Sequence, residues 1–166
     1  MNHKIFIVLL LFSLCFTSCQ DTIVEPENQF VQIYMNYGFK NELNTFKNTY
    51  QKDLVLEGVK KVRFWLTEEE QNKILEKANI VNYFSMPDTF KYNPQDSINV
   101  IINPDPGEQI LRIKYMSKDK TTIWTFPILE SKTDFNNLLE LRQFIITIIE
   151  SKPEYRKLPP SRGGND

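Results

Sequence analysis

Residues 61–85 read KVRFWLTEEEQNKILEKANIVNYFS, and this stretch decides the fold class because it changes from strand to helix periodicity. At its start, apolar and polar side chains alternate with period two, which is typical of a half-buried strand and places Trp65 on the outer face. From Thr67 onward the apolar residues recur at helical spacing. Thr67 and Glu70 fit the capping box, in which each side chain accepts a hydrogen bond from the other residue's backbone N–H. The stretch therefore predicts a strand followed by a helix that ends near residues 83–85.

Period-two alternation predicts four further strands outside this stretch. The polar segment between the first two strands is predicted to contain none. The further strands are expected at residues 31–39, 98–102, 111–115 and 121–126.

A stripe of apolar residues from Phe135 to Ile149 is interrupted only by Arg142. It predicts a final, well-buried helix. Ser131 or Thr133 is expected to cap this helix, since both side chains accept hydrogen bonds from the first backbone N–H groups of a helix.

The order of these elements indicates an α+β fold. We predict a single domain over residues 29–150, in which an antiparallel sheet of about five strands packs two helices on one face. Residues 151–166 are rich in proline, glycine and charge, and this composition predicts a disordered C-terminal tail.

The N-terminus carries the pattern of a secretory signal. A short polar start with Lys4 precedes an apolar run from Ile5 to Phe16, and small residues follow. The run is too short to span a bilayer core, which needs about 20 apolar residues. Residues 1–18 are therefore predicted to be a cleaved signal peptide.

The sequence Thr17-Ser18-Cys19 resembles the lipobox of bacterial lipoproteins, in which a small residue precedes a cysteine that is acylated. The resemblance implies a lipid on Cys19, and residues 19–28 then form a flexible tether. The membrane lipid is the first predicted partner, and the predicted location is the cell envelope, on a periplasmic or surface face. The alternative is an ordinary secretory signal with a chance cysteine near its end.

The cysteine and histidine counts exclude several chemistries. Cys15 and Cys19 are the only cysteines, and His3 is the only histidine. The predicted mature domain thus lacks the groups that zinc sites of the usual type and Ser-His-Asp or Cys-His catalysis require. We predict a non-enzymatic domain without cofactor or metal. The formal net charge of −1 gives no general attraction to nucleic acid, so no nucleic-acid partner is expected.

The most distinctive segment is residues 38–55, which contains Asn44-Thr45-Phe46 and Lys52-Asp53. Together with the Leu-Thr-x-x-Glu start of the predicted helix, it resembles a family of uncharacterised lipoproteins seen often in Bacteroidetes-like bacteria. The resemblance covers roughly residues 30–84. It implies a shared fold and compartment, and it implies no activity.

The same segment offers a candidate ligand-binding patch, because amide, hydroxyl and aromatic groups are typical of surfaces that bind glycans or peptides. The candidate residues are Asn44, Thr45, Thr49, Tyr50, Lys52 and Asp53. The competing and favoured interpretation is structural: asparagine and threonine stabilise turns, and Phe46 and Tyr50 pack on the core.

Three functions follow from these observations. The first is a non-enzymatic domain that binds an envelope protein. The second is a carbohydrate- or peptidoglycan-binding module that uses the segment from Asn44 to Asp53. The third and weakest is a hydrolase that uses Asp105 and Glu108, since glycoside hydrolysis needs two carboxyl groups facing each other across a cleft.

Overall fold

The computed structural model describes residues 30–90, 107–125 and 133–163 of the chain. Their strands form one mixed sheet of seven, in the order β4-β3-β2-β1-β6-β7-β5. The strands are β1 (Gln32–Tyr37), β2 (Asn41–Asn44), β3 (Thr49–Asp53), β4 (Val59–Arg63), β5 (Thr89–Phe90), β6 (Gln109–Tyr115) and β7 (Lys118–Trp124). The helices are α1 (Glu68–Ile80), α2 (Thr133–Ser151) and the single turn α3 (Pro153–Arg156), with a short 3-10 turn at Tyr83–Ser85.

The α+β class is confirmed, but the prediction of about five antiparallel strands is wrong. The sheet has seven strands, and β5 pairs parallel to β7. The chain reaches β5 by crossing from β4 at the opposite edge through α1, so no hairpin forces an antiparallel pair there. The strand expected at residues 98–102 lies outside the described residues.

Two of the additional strands, β2 and β3, lie in the polar segment where none was predicted. Their buried apolar residues are few, namely Leu43 and Tyr50, because the alternating residues face the side of the sheet that the helices leave open. Asn48 closes the turn between these strands with φ of 52°. Asparagine adopts this left-handed conformation more readily than most residues.

The core lies on one face of the sheet. Strand residues such as Ile33, Leu43 and Trp124 point into it and are fully buried. The stripe on α2 predicted from the sequence packs there together with Ile74 of α1. The sheet and both long helices therefore share one apolar cluster.

The capping box of α1 is confirmed. Thr67 Oγ1 accepts from the Glu70 backbone N–H at 3.2 Å, and Glu70 Oε2 accepts from the Thr67 N–H at 2.7 Å. The helix ends at Ile80, earlier than expected, because Asn82 takes a left-handed conformation with φ of 55°. The chain then enters the 3-10 turn, where Tyr83 donates from its hydroxyl to the Leu111 carbonyl at 2.5 Å.

The C-terminal segment differs from its prediction of disorder. We call residues 152–162 the C-terminal strap, because they run back along the end of β3. Leu158 is buried, Ser161 Oγ donates to the Asp53 carbonyl at 2.6 Å, and Arg162 forms a parallel bridge with Val55. Burial of Leu158 and a few hydrogen bonds thus hold a segment for which composition alone predicted no ordered structure.

Candidate functional site

The candidate patch at Asn44–Asp53 has most of its side chains engaged in structural contacts. Tyr50 is 1% exposed, and its hydroxyl lies 2.6 Å from that of Tyr37. Burial raises the pKa of both phenols above the ordinary value. The ring also packs on Phe64 and Tyr155, with centroid separations of 5.5 and 5.7 Å. Tyr50 is thus part of the core.

Asn44 and Thr45 fix the turn that follows β2. Asn44 Oδ1 accepts from the Lys47 N–H at 3.2 Å. Thr45 Oγ1 accepts from the Ile33 N–H at 2.7 Å and donates to the Ile33 carbonyl at 3.2 Å. These bonds tie the turn to the neighbouring strand β1, which is the structural role that the sequence favours.

Lys52 and Asp53 contact the C-terminal strap and the next turn. Lys52 Nζ donates to the Pro159 carbonyl at 2.9 Å and lies 4.5 Å from the centre of the Tyr155 ring. Asp53 Oδ1 accepts from the Val55 N–H at 2.9 Å. Both side chains are buried, and neither is presented to an external ligand.

Thr49 completes the set of six. Its Oγ1 is buried and has no hydrogen-bond partner among the described residues. It lies in register with Asn44 on the open face of the sheet, whereas Tyr50 and Lys52 point to the helix side. The structure therefore does not bring the six side chains together on one surface.

A different feature appears at the same end of the sheet, and we call it the aromatic cleft. It has a volume of about 280 Å³, and its aromatic residues are Phe30, Phe46 and Trp65. Phe30 precedes β1, Phe46 lies in the turn between β2 and β3, and Trp65 follows β4. Phe30 is 61% exposed and Trp65 is 49% exposed, which confirms the outward position that alternation predicts for Trp65.

Hydrogen bonds between its walls hold the aromatic cleft in shape. Gln71 of α1 accepts from the Val31 N–H at 3.1 Å and donates to the Leu66 carbonyl at 3.0 Å. The Phe64 N–H donates to the Asn48 carbonyl at 3.0 Å and fixes the strand just before the exposed tryptophan. The cleft is thus preformed by contacts between elements that are distant in sequence.

Two amide side chains at the aromatic cleft, those of Gln32 and Asn48, make no hydrogen bond with any described residue. Each amide offers two donor hydrogens and an accepting oxygen to a ligand. The cleft combines exposed aromatic rings with amides that have no partner among the described residues. The sequence predicted this combination of groups for the Asn44–Asp53 segment.

One wall of the cleft is supported from the open face of the sheet. The Arg112 guanidinium lies 5.0 Å from the centre of the Phe46 ring. It also forms two hydrogen bonds with Asp119, at 2.8 and 2.6 Å. The hydrogen bonds from Arg112 hold the pKa of the Asp119 carboxyl below its usual range. Because this carboxylate engages the guanidinium, Arg112 orients Phe46 rather than offering a free charge.

Of the residues that line the cleft, the sequence pattern indicates Phe46 and Trp65 but gives no signal for Phe30, Gln32, Asn48 and Gln71. The outward position of Trp65 in an alternating strand was the available signal. The others come together only through the fold.

The side chains that could hold a metal ion are scattered over the part of the chain that the structure describes. That part contains no group of three or more metal-ligating side chains of the types histidine, cysteine, aspartate and glutamate. Glu108 is exposed beside the start of β6, whereas Asp105 and Cys19 lie outside the described residues. Within the same residues, no helix has the length and apolar character needed to cross a membrane.

Comparison with protein-family models, with curated proteins and with solved structures finds no match to this chain.

Proposed function

We propose that this chain is a non-enzymatic, lipid-anchored binding protein of a bacterial envelope and that the aromatic cleft is its binding site. The observation that carries the proposal is the exposure of Phe30 and Trp65 around a preformed cleft. Full burial of a large apolar side chain contributes about 1.5–3 kcal/mol, and these half-exposed rings forfeit part of that free energy. Their grouping beside unused amides is what a ligand site requires.

The chemistry of the cleft favours a sugar ring of an envelope glycan as the ligand. The C–H faces of a pyranose ring can lie against Phe46 and Trp65. Its hydroxyl groups need donors and acceptors together, and the amides of Gln32 and Asn48 provide both. The volume lies near the lower end of ligand pockets, which start at about 300 Å³, so one ring fills the cleft.

A protein side chain is the second candidate ligand, in keeping with the protein-interaction function that the sequence favours. Exposed aromatic residues are also enriched at protein interfaces. An apolar anchor from a protein would, however, leave the two amides without partners, at a cost of about 1–3 kcal/mol for each group that becomes buried. This difference makes the glycan the better fit.

The predicted anchor restricts where the ligand can be. The chain from Cys19 to Phe30 spans eleven residue steps and reaches at most about 40 Å when fully extended. Because Phe30 itself forms part of the aromatic cleft, the site stays within this distance of the lipidated cysteine. The proposed glycan therefore lies close to the membrane that carries the anchor.

The proposal is tested with the full chain, extracted in mild detergent and incubated with insoluble peptidoglycan purified from the same envelope. Trp65→Ala is expected to raise the dissociation constant about tenfold, which corresponds to about 1.4 kcal/mol of lost binding free energy. Ile80→Ala is the matched control, because Ile80 is a 67% exposed apolar residue at the C-terminal end of α1, away from Gln71 and the cleft.

Equal binding by the wild type and by Trp65→Ala would contradict the assignment of the cleft. If no glycan binds, but a cross-linker attached at position 65 captures one protein in stoichiometric amount, the ligand of the cleft is that protein.

A further inference from the structure

The edge strand β4 presents a row of unused backbone groups. The Phe64 N–H donates inward to Asn48, and the Gly58 carbonyl accepts inward from Leu54. In an antiparallel ladder, residues alternate between inward and outward backbone groups. The N–H and C=O groups of Val59, Lys61 and Arg63 therefore point away from β3, and no described residue bonds to them.

The side chains of this strand are strongly basic. Lys60, Lys61 and Arg63 are exposed, and none has an acidic partner among the described residues. Several basic residues elsewhere are paired with carboxylates, as in Lys152 with Glu70 at 2.8 Å and Lys73 with Glu69 at 2.6 Å. The cations of β4 thus form an uncompensated positive strip along an unpaired edge.

Lysine on an edge strand has an ordinary explanation, because it prevents unwanted pairing with other chains. That explanation does not account for the apolar residues at both ends of the strip. Of the eight exposed large hydrophobic side chains in the described residues, four lie on or beside β4. They are Val55, Leu56, Val59 and Trp65. An edge built only to repel other strands would not carry this apolar surface.

We propose that the β4 edge binds an extended acidic segment of a partner protein, which adds to the sheet as an eighth strand. The outward groups of Val59, Lys61 and Arg63 supply the main-chain hydrogen bonds of such an addition. The positive strip selects acidic side chains, and the apolar residues at its ends contact apolar residues that flank them. This surface is separate from the glycan site and shares only Trp65 with it.

The sidedness of β4 defines the partner further. Lys61 and Arg63 lie in register with Gln51 and Thr49, so their side chains extend over the open face of the sheet. Lys60 points to the other side. An added strand therefore places its acidic side chains beside Lys61 and Arg63 on the open face, and its alternate residues lie beside Lys60 and Val62 on the helix side.

Fluorescence anisotropy on the full chain in detergent micelles tests this surface. The probe is a fluorescein-labelled peptide, Glu-Val-Glu-Val-Glu-Val-Glu, and the controls are its Lys-Val counterpart and an acidic version with a central proline. Only the first peptide is expected to bind. The double variant Lys61→Glu/Arg63→Glu should weaken binding at least about tenfold. Lys114→Glu/Lys118→Glu changes the net charge equally, away from β4, and should have little effect.

A backbone readout separates strand addition from simple charge attraction. With the peptide bound, the amide hydrogens of Lys61 and Arg63 should become protected from exchange. Lys61→Pro removes one outward N–H without touching the ladder to β3 and should bind more weakly than Lys61→Gln, which keeps that N–H.

Absence of binding, equal binding of the proline-interrupted peptide, or binding without protection of the two amides would overturn the proposal. If Lys61→Pro fails to fold, the exchange experiment on the wild type still decides. The two proposals can fail separately, because Lys61→Glu/Arg63→Glu changes only the β4 edge, whereas Trp65→Ala tests glycan binding in the aromatic cleft.

Discussion

The two ends of the β2–β3 hairpin use similar residue types for opposite purposes. At the strap end, Lys52 and Asp53 are buried and engaged by the C-terminal strap and the adjoining turn, and Tyr50 is enclosed beside them. At the other end, Trp65 and Asn48 line the aromatic cleft, and the side-chain amide of Asn48 makes no hydrogen bond with any described residue. Residue type alone therefore does not identify a binding site. A polar or aromatic side chain is a candidate ligand contact only when it lacks partners within the protein.

The largest effect is expected at Tyr50. Tyr50→Ala removes a ring that is 1% exposed and leaves the Tyr37 hydroxyl without its partner. The free energy of unfolding should fall by about 3–5 kcal/mol, the usual cost of deleting a buried aromatic ring. Urea unfolding followed by circular dichroism measures it. A loss below about 1 kcal/mol would place Tyr50 outside the core and reopen it as a ligand contact.

The buried phenols also predict a loss of stability in alkali. Burial raises the pKa of Tyr37, Tyr50 and Tyr83 above the ordinary tyrosine value of 10.0, so the unfolded chain releases these protons first as the pH rises. Above pH 10 the unfolded state binds fewer protons than the folded state, and stability decreases by about 1 kcal/mol per buried tyrosine per pH unit.

Urea midpoints measured at about pH 9, 10 and 11 test the alkaline effect. In Tyr83→Phe, the stability should decrease with pH less steeply than in the wild type, by the contribution of one buried tyrosine. An identical slope in this variant would show that other groups cause the loss.

A smaller effect is expected where the C-terminal strap crosses Lys52. Lys52→Met keeps the apolar stem but removes the hydrogen bond to the Pro159 carbonyl and the contact with the Tyr155 ring. We expect a loss of about 1–2 kcal/mol. Hydrogen exchange should become faster in residues 153–162 and remain unchanged in α1. Uniformly faster exchange would instead mean that the strap unfolds only with the whole domain.

The smallest effect on stability is expected at the cleft itself. Trp65→Ala should change the free energy of unfolding by less than about 0.5 kcal/mol, as for other exposed positions. The same urea titration that measures Tyr50→Ala provides the comparison. A cost similar to that of Tyr50→Ala would make Trp65 a packing residue and remove the contrast between the two ends.

The predictable parts of the fold are those with local patterns. The capping box at Thr67 and Glu70 and the apolar stripe of α2 are written in residues three or four positions apart, and both appear in the structure. By contrast, β5 has only two residues, and its pairing with β7 depends on the path of α1 across the sheet. No local pattern encodes such an element.

The candidate site was predictable only in part for the same reason. Alternation placed Trp65 outside, and the Asn44–Asp53 segment pointed to the correct hairpin. Phe30 and Gln71 reach the cleft through contacts between residues about forty positions apart, such as the hydrogen bond from Val31 to Gln71. The ordered C-terminal strap was not predicted because its contacts are long-range. One of them is the hydrogen bond from Lys52 of β3 to the Pro159 carbonyl. Such long-range partners have no signature in a single sequence.

The most direct test of the account is acrylamide quenching of tryptophan fluorescence, with and without soluble peptidoglycan fragments. The chain has two tryptophans: Trp65 is 49% exposed at the cleft, and Trp124 is fully buried. We expect acrylamide to quench the Trp65 emission in the free protein, and we expect bound fragments to protect it. Protection should vanish in Trp65→Ala and persist in Trp124→Phe. Quenching that stays unchanged at saturating fragment concentration would contradict the assignment of the cleft as the glycan site.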